Sequence, residues 1–351
     1  MRTRSELEQA IRDGEIISDE DFSDADLAGA MLAGGIFRGV RFDGASLTGA
    51  SFRESILEGV TFAGADAREI DFSNTALVQC NFSESKLNGA KLHFAQLTNP
   101  MMQRVDLSGA ALVKTVMHAA DLRAALLRGA NLDRAIMLNA NLADADLSKA
   151  GLSNVVLLGA DMNNVRCAEL SAVQTLFQDG NMLGMNLSGL TITACQLRNC
   201  KLTGASLARG NFERSGFMGA DLQQADLSGA NLANTVFSGT LLTGANFSGA
   251  ILTQAHFQEA RLQHARFDAA RMEMTGFNKA DCTAASFCGA DLTYADFSHA
   301  ILDGADLGDT TLLQAKLHAV SDKATRWPAG KALARGTDPD RLEAEQWHPA
   351  T

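Results

Sequence analysis

The sequence predicts an all-β solenoid, a quadrilateral β-helix of about 15 coils with 20 residues in each coil. Three observations carry this. From Phe22 to Leu317 every fifth residue is large and apolar: of 60 positions, 32 are Leu, 17 Phe, 6 Met and 1 Ile, and only Ala67, Cys167, Ala172 and Cys282 depart. Two residues before each of these stands a small one, as in Ala25, Ala30, Ala45, Ala130 and Ala230. Phenylalanine also recurs at intervals of 20, in Phe22, Phe42, Phe62 and Phe82 and again in Phe217, Phe237, Phe257, Phe277 and Phe297.

A period of five excludes the common elements. On an α-helix five residues advance about 500°, which smears the large side chains around the circumference. In a flat strand an odd period throws successive large residues onto opposite faces. A chain that turns about a right angle every five residues points them all at one axis. Units that cannot bury their own face must stack, and four sides per coil explain the interval of 20. At about 4.8 Å per level, 15 coils make a rod roughly 72 Å long.

The units Ala25-Asp26-Leu27-Ala28-Gly29, Ala130-Asn131-Leu132, Ala220-Asp221-Leu222 and Ala230-Asn231-Leu232 resemble the A(D/N)LxX signature of pentapeptide-repeat proteins. The resemblance covers residues 21 to 318 without a slip of phase. It implies that family's right-handed four-sided β-helix, with the central residue and the one two positions before it inside. The family is functionally diverse, so the resemblance fixes no activity.

Taken in order, residues 1–20 read as an N-terminal helical cap. Ser5-Glu6-Leu7-Glu8 fits a capping box, Leu7, Ala10 and Ile11 share a helical face, and the helix is expected to end near Gly14. Such a cap covers the open end of the first coil, where an exposed β edge invites polymerisation. Residues 21–318 form the repeat. Pro100 falls at an inward position and lacks an N–H, which predicts a bulge or kink at 99–104. From 165 to 200 the small position is taken by Val165, Leu170, Met185 and Leu190, which predicts a wider or bent section. After Leu317 the repeat is expected to stop. Residues 319–351 then form a C-terminal cap around Trp327-Pro328 and a short helix started by Asp338 and Pro339, with Leu342 and Trp347 as its apolar residues.

Composition narrows the function. The 351-residue chain carries a formal net charge of −11 with both signs interspersed, which argues against direct nucleic-acid binding through a basic surface. No apolar run reaches membrane-spanning length and no signal-like segment follows Met1, so a soluble, cytoplasmic protein without membrane insertion is expected. The cysteines Cys80, Cys195 and Cys200 fall on the small inward position and Cys167 and Cys282 on the large one, as buried small hydrophobes. Cys288 alone is expected to be exposed.

Chemistry is sparse. The histidines His93, His118, His256, His264, His299, His318 and His348 show no metal-ligand spacing on one side of the coil, and no CxxC occurs. Aspartates such as Asp26, Asp66, Asp106, Asp146, Asp226 and Asp306 recur just before the central residue, where short polar side chains suit the turn. Glycines such as Gly29, Gly49, Gly89, Gly229 and Gly249 recur two residues after it, as corners and not as a phosphate loop. The expectation is a protein that is not an enzyme, with no cofactor and no metal.

Function should therefore lie on the outer faces. Sorted by a 20-residue coil, the side beginning at Glu20 has a net charge of −6 and the next −3, while the third and fourth are balanced. The fourth side bears an outward stripe of Val116, Ile136, Val156 and Leu176 at intervals of 20, joined by Leu138 and Leu158. Phe94, the one Phe outside the central register, and Val113 sit on the neighbouring side. From Thr75 to Gln178 the fourth side carries no charge. These eight apolar residues are the candidate partner-binding site, since an exposed apolar stripe marks association surfaces. The expected function is a non-catalytic scaffold that binds another protein, with homodimerisation as a further option. The lead-in at Leu7 to Gly14 and the tail from Thr337 to Trp347 resemble pentapeptide-repeat accessory proteins of bacterial type VI secretion clusters, which implies an adaptor role there. The alternative is an acidic DNA mimic that binds and protects gyrase or another topoisomerase, as some members of the family do.

Overall fold

Strands of three residues, too short to bury a face alone, are stacked in parallel with a register of 20. The computed structural model describes residues 2–329, and the chain divides into two compact units between Met182 and Leu183. In the first unit, β1 (Ile16–Ser18), β2 (Ile36–Arg38), β3 (Ile56–Glu58), β4 (Ala76–Val78), β5 (Gln96–Thr98), β6 (Val116–His118) and β7 (Ile136–Leu138) form one parallel sheet in sequence order. These strands are all on the fourth side. β8 (Gly151–Ser153) and β9 (Ser171–Val173) then pair on the third side. In the second unit β10 (Thr191–Thr193) is the one such strand among the described residues. Elsewhere the same register narrows to single-residue bridges, such as Asp21 with Arg41 and Asp226 with Asn246. Continuous strands therefore span fewer levels than the 15 coils the period predicts, because a right-angle turn every five residues leaves most sides only one paired residue.

Both inward positions are filled as the sequence requires. Leu27, Leu132, Phe217 and Leu302 are buried, as are the small residues Ala30, Ala45, Ala130 and Ala230. Phenylalanines 20 residues apart stack: Phe62 lies 4.9 Å from Phe82, Phe237 4.8 Å from Phe257 and Phe277 4.6 Å from Phe297, all within 5° of parallel. Rings on neighbouring sides meet edge to face, Phe247 on Phe257 at 90°. Both arrangements suit the ring quadrupole. Where Thr replaces alanine its hydroxyl reaches a carbonyl of the coil before: Thr75 to Phe52 and Thr115 to Leu92, each 2.7 Å. The polar atom is thus buried without being left unsatisfied.

The corner geometry accounts for the repeated Asp, Asn and Gly. The residue two places after each central one has φ near +60°, as at Gly29 (66°) and also at Asp24 (58°) and Tyr294 (61°). Before the corner, the Asp or Asn side chain accepts the backbone N–H two residues on. Examples are Asp106 from Ser108 at 2.9 Å and Asp226 from Ser228 at 3.0 Å.

Four expectations need correction. The coil register begins one unit earlier than the run at Asp21 suggests: Ile17 is fully buried at the central position and β1 pairs with β2. It also outlasts Leu317, since Ser321 bridges Ile301 and Arg326 bridges Asp306, and Thr325 donates to the Leu302 carbonyl at 2.6 Å. Backbone pairing thus continues where the apolar pattern has ended at Asp322. The helix α1 (Arg4–Arg12) is capped by Thr3 with Glu6, not by Ser5 with Glu8. Glu8 instead accepts from Arg4 at 2.9 Å and from the Met31 backbone at 3.1 Å, while Arg4 donates to the carbonyls of Ala28 and Gly29. Leu7 and Ala10 are buried, and α1 packs against β1.

The fourth correction concerns Pro100, which makes no bulge. Leu97 stays paired with Met117, and Met101 still donates to the Cys80 carbonyl at 3.0 Å. On the other sides of these coils the small residue's N–H closes the turn, as Ala25 does to Phe22, but Val40, Val60, Ala120 and Ala140, the levels around Pro100 on its column, close none. A proline at this level forfeits no bond that its neighbours on the column make, although Gly180 and Ala220 farther along the same column do close the turn, to Phe177 and Phe217. In the tract 165–200, Val165, Leu170, Met185 and Leu190 remain buried, and the continuous strands have moved to the adjoining side. The expected helix at 338–347 lies outside the described residues.

Candidate interaction surface

The outward residues of the fourth side are built by the first unit's sheet. Side chains just before and just after each buried central residue point away from the core, so residues 20 apart form columns. Val116 pairs with Ile136 in β6 and β7, Ile136 bridges Val156, and Val156 bridges Leu176. Ile136 is 37% exposed and Leu176 38%, while Val116 and Val156 are half-buried. Leu138 pairs with His118 in the second column, and Leu158 follows it; both leucines are half-buried. Six of the eight expected residues are therefore brought together.

Phe94 and Val113 are not part of these columns. Phe94 stands at a corner of the third side with φ of 59°, 51% exposed, and the Lys114 ammonium lies 5.0 Å from its ring centroid. That cation–π contact puts a charge where an extended apolar surface was expected. Val113 is half-buried, and its carbonyl accepts from the Phe94 N–H at 3.1 Å.

The sequence reading also missed residues. Ile16, Ile36 and Ile56 occupy the same column in β1, β2 and β3, with Ile16 46% and Ile56 48% exposed. The interval of 20 that picked out Ile136 reaches them directly. Their neighbours in the second column, Arg38 and Glu58, form an ion pair at 3.5 Å, so this stretch is apolar in one column only. Ala76 and Gln96 separate it from Val116.

The two acidic sides have a different character. Arg68 bonds Asp66 at 2.8 Å, Arg123 bonds Asp121 at 2.7 Å and Arg104 meets Glu84 at 3.1 Å. The Arg68 guanidinium holds the Asp66 carboxyl below its usual range. Asp146 is nearly buried between Arg128 and Arg166. Burial pushes its carboxyl up, but the hydrogen bonds from Ser148 and Arg128 outweigh burial and hold it well below the ordinary value.

Among the described residues, no three His, Cys, Asp or Glu side chains gather as a metal site requires. His299 and His318 do meet, edge to face at 5.2 Å, a pairing that linear spacing did not reveal. Burial pushes the Cys80 thiol up to about 12 and Cys167 up to about 11, while Cys288 is half-exposed. No described helix is long and apolar enough to cross a membrane.

Coils of 20 residues, central Leu or Phe, and Asp or Asn before the corner define a four-sided β-helix built from five-residue units. Two family models match: the pentapeptide repeat region over 35–112 and 190–267, and pentapeptide repeats in eight copies over 102–139, 140–179 and 277–318. The chain belongs to the pentapeptide-repeat family. No curated protein matches it. One similar solved structure is HetL, a pentapeptide repeat protein involved in heterocyst differentiation regulation from the cyanobacterium Nostoc sp. strain PCC 7120. It shares 27% identity over 76% of this chain and 97% of its own, with a TM-score of 0.32. A trypsin-treated QnrB1, a plasmid-mediated fluoroquinolone resistance protein, shares 20% identity over 54% of this chain and 88% of its own, with a TM-score of 0.42. Neither superposition is close enough to carry over a partner or a site.

Proposed function

We propose that this protein is a non-catalytic scaffold that docks another protein along the fourth side of its first unit. The observation that supports this most is the bridged column Val116, Ile136, Val156 and Leu176, flanked by Leu138 and Leu158 within a stretch of that side, Thr75 to Gln178, that carries no charge. A repeat whose interior is filled leaves its outer columns as the place for recognition, and solenoids recognise partners along such surfaces. The finer reading is an adaptor or accessory protein of a bacterial type VI secretion system. It draws on the lead-in at Leu7 to Gly14 and on the tail at 337–347, the latter outside the described residues.

The DNA-mimic reading draws on the net negative charge of the first two sides. The Arg68–Asp66, Arg123–Asp121 and Arg128–Asp146 pairs weigh against it, because a mimic of the phosphate backbone needs carboxylates free to meet a basic partner. The test is capture from a bacterial lysate at low and high salt, with wild type beside Ile136→Asp/Val156→Asp. Stripe docking predicts a captured protein that withstands salt and is lost with the double variant. A topoisomerase subunit held equally by both proteins but released by salt supports the mimic and refutes stripe docking.

A further inference from the structure

The geometry points to a second copy of this chain as an occupant of the fourth side, related by a two-fold axis parallel to the direction in which the coils stack. This rests on the reading of that side as an association surface. Two outward columns run along it, Val116, Ile136, Val156 and Leu176 before the central residues, and His118, Leu138 and Leu158 after them. Such a two-fold exchanges the columns at constant level. Ile136 then faces Leu138 of the second copy, Val156 faces Leu158, and each contact occurs twice, as an isologous interface requires. A second copy also has the same spacing between levels, about 4.8 Å, so that contacts repeat along the whole stripe.

The borders of the stripe choose between the available two-folds. On the corner shared with the third side, the row is Asn74, Phe94, Lys114, Arg134, Asn154 and Gln174, where every charge is positive. Beyond the opposite corner, the facing row of the first side is Asn81, Met101, Asp121, Asn141, Asp161 and Asn181, where every charge is negative. The parallel two-fold sets the positive border of each copy against the negative border of the other, with Lys114 and Arg134 on the levels either side of Asp121. A two-fold across the stack sets each border against its own kind, which like-charge repulsion disfavours. Asp121 is also engaged by Arg123 and Arg134 by Asp133, so among the described residues Lys114 and Asp161 add the charges that no ion pair shares.

The experiment is sedimentation equilibrium of the full chain over a range of concentrations, with circular dichroism to verify the fold of each variant. The expected result is a monomer–dimer equilibrium for wild type. Ile136→Asp/Val156→Asp should be monomeric, and Lys114→Glu/Arg134→Glu should dimerise at least tenfold more weakly, with the difference shrinking in high salt. A wild type that stays monomeric at 100-fold the protein concentration used for lysate capture overturns the inference, as does a dimer that both variants leave unchanged. A dimer strengthened by Lys114→Glu/Arg134→Glu overturns the parallel two-fold. Because lysate capture is scored separately, a monomeric wild type that still captures a stripe-dependent protein sinks only the dimer. A stripe-dependent dimer that captures nothing sinks only the heterologous partner.

Discussion

Thr115 donates its hydroxyl to the carbonyl of Leu92 across 2.7 Å, from an inward position that alanine usually fills. The same carbonyl accepts the Ala95 N–H at 3.0 Å, so it keeps one partner if the hydroxyl is removed. Thr115→Val should cost about 1 kcal/mol, the net worth of one buried bond, and lower the melting temperature by a few degrees. An unchanged or raised melting temperature would show that the hydroxyl contributes nothing to stacking.

Leu132 is fully buried on the third side. Leu132→Asp places an unpaired carboxylate there and should cost more than about 3 kcal/mol. Ile136→Asp, four residues on and facing outward, should cost well under half of that. Chemical denaturation of the two variants side by side checks the register, and equal losses would contradict it.

Asp146 gives a pH signature. Its folded-state pKa lies below the unfolded value of about 3.9, so its stabilisation is present above that pH and fades as the pH falls through the folded value. Melting curves of wild type and Asp146→Asn should be furthest apart near pH 6 and converge below pH 4. A gap that stays constant over that range would exclude the ionised carboxylate as the source.

Ala124 occupies a corner with φ of 55°, a conformation that costs a residue bearing Cβ about 1–2 kcal/mol. Ala124→Gly relieves that strain but gives the unfolded chain more freedom. A small rise in melting temperature is the expected outcome, and a drop would mean that the Ala124 methyl makes a contact worth more than the strain.

The repeat was legible because its cause is local. A large residue every five positions, with a small one two before it, leaves a single way to share one core, and the Phe22, Phe42, Phe62 series sets the coil length. The six stripe residues on the fourth side followed from the same arithmetic. Phe94 did not, because the Lys114 ammonium over its ring is fixed by corner rotamers that a column count ignores. Ile16 lies before Asp21, outside the expected repeat, and Ile36 and Ile56 stand beside the charged Arg38 and Glu58, outside the uncharged stretch that singles out Ile136.

What the sequence determined by itself is the period, the register and the inward positions from Phe22 to Leu317, because burial of Leu and Phe tolerates no slip of phase. Tertiary structure decided what backbone pairing controls. It extended the coils to Ile17 and Arg326 beyond the apolar run, and it accommodated Pro100 at levels where the neighbouring residues of its column close no turn. It assigned the helix cap to Thr3 once Glu8 was drawn to Met31 of the first coil. It also paired carboxylates with arginines across coils, as at Asp146, so that a charge count alone does not say which carboxylates are engaged. Hydrogen bonds between residues 18 to 23 positions apart have no trace in local composition, and they exist only once the coils are stacked.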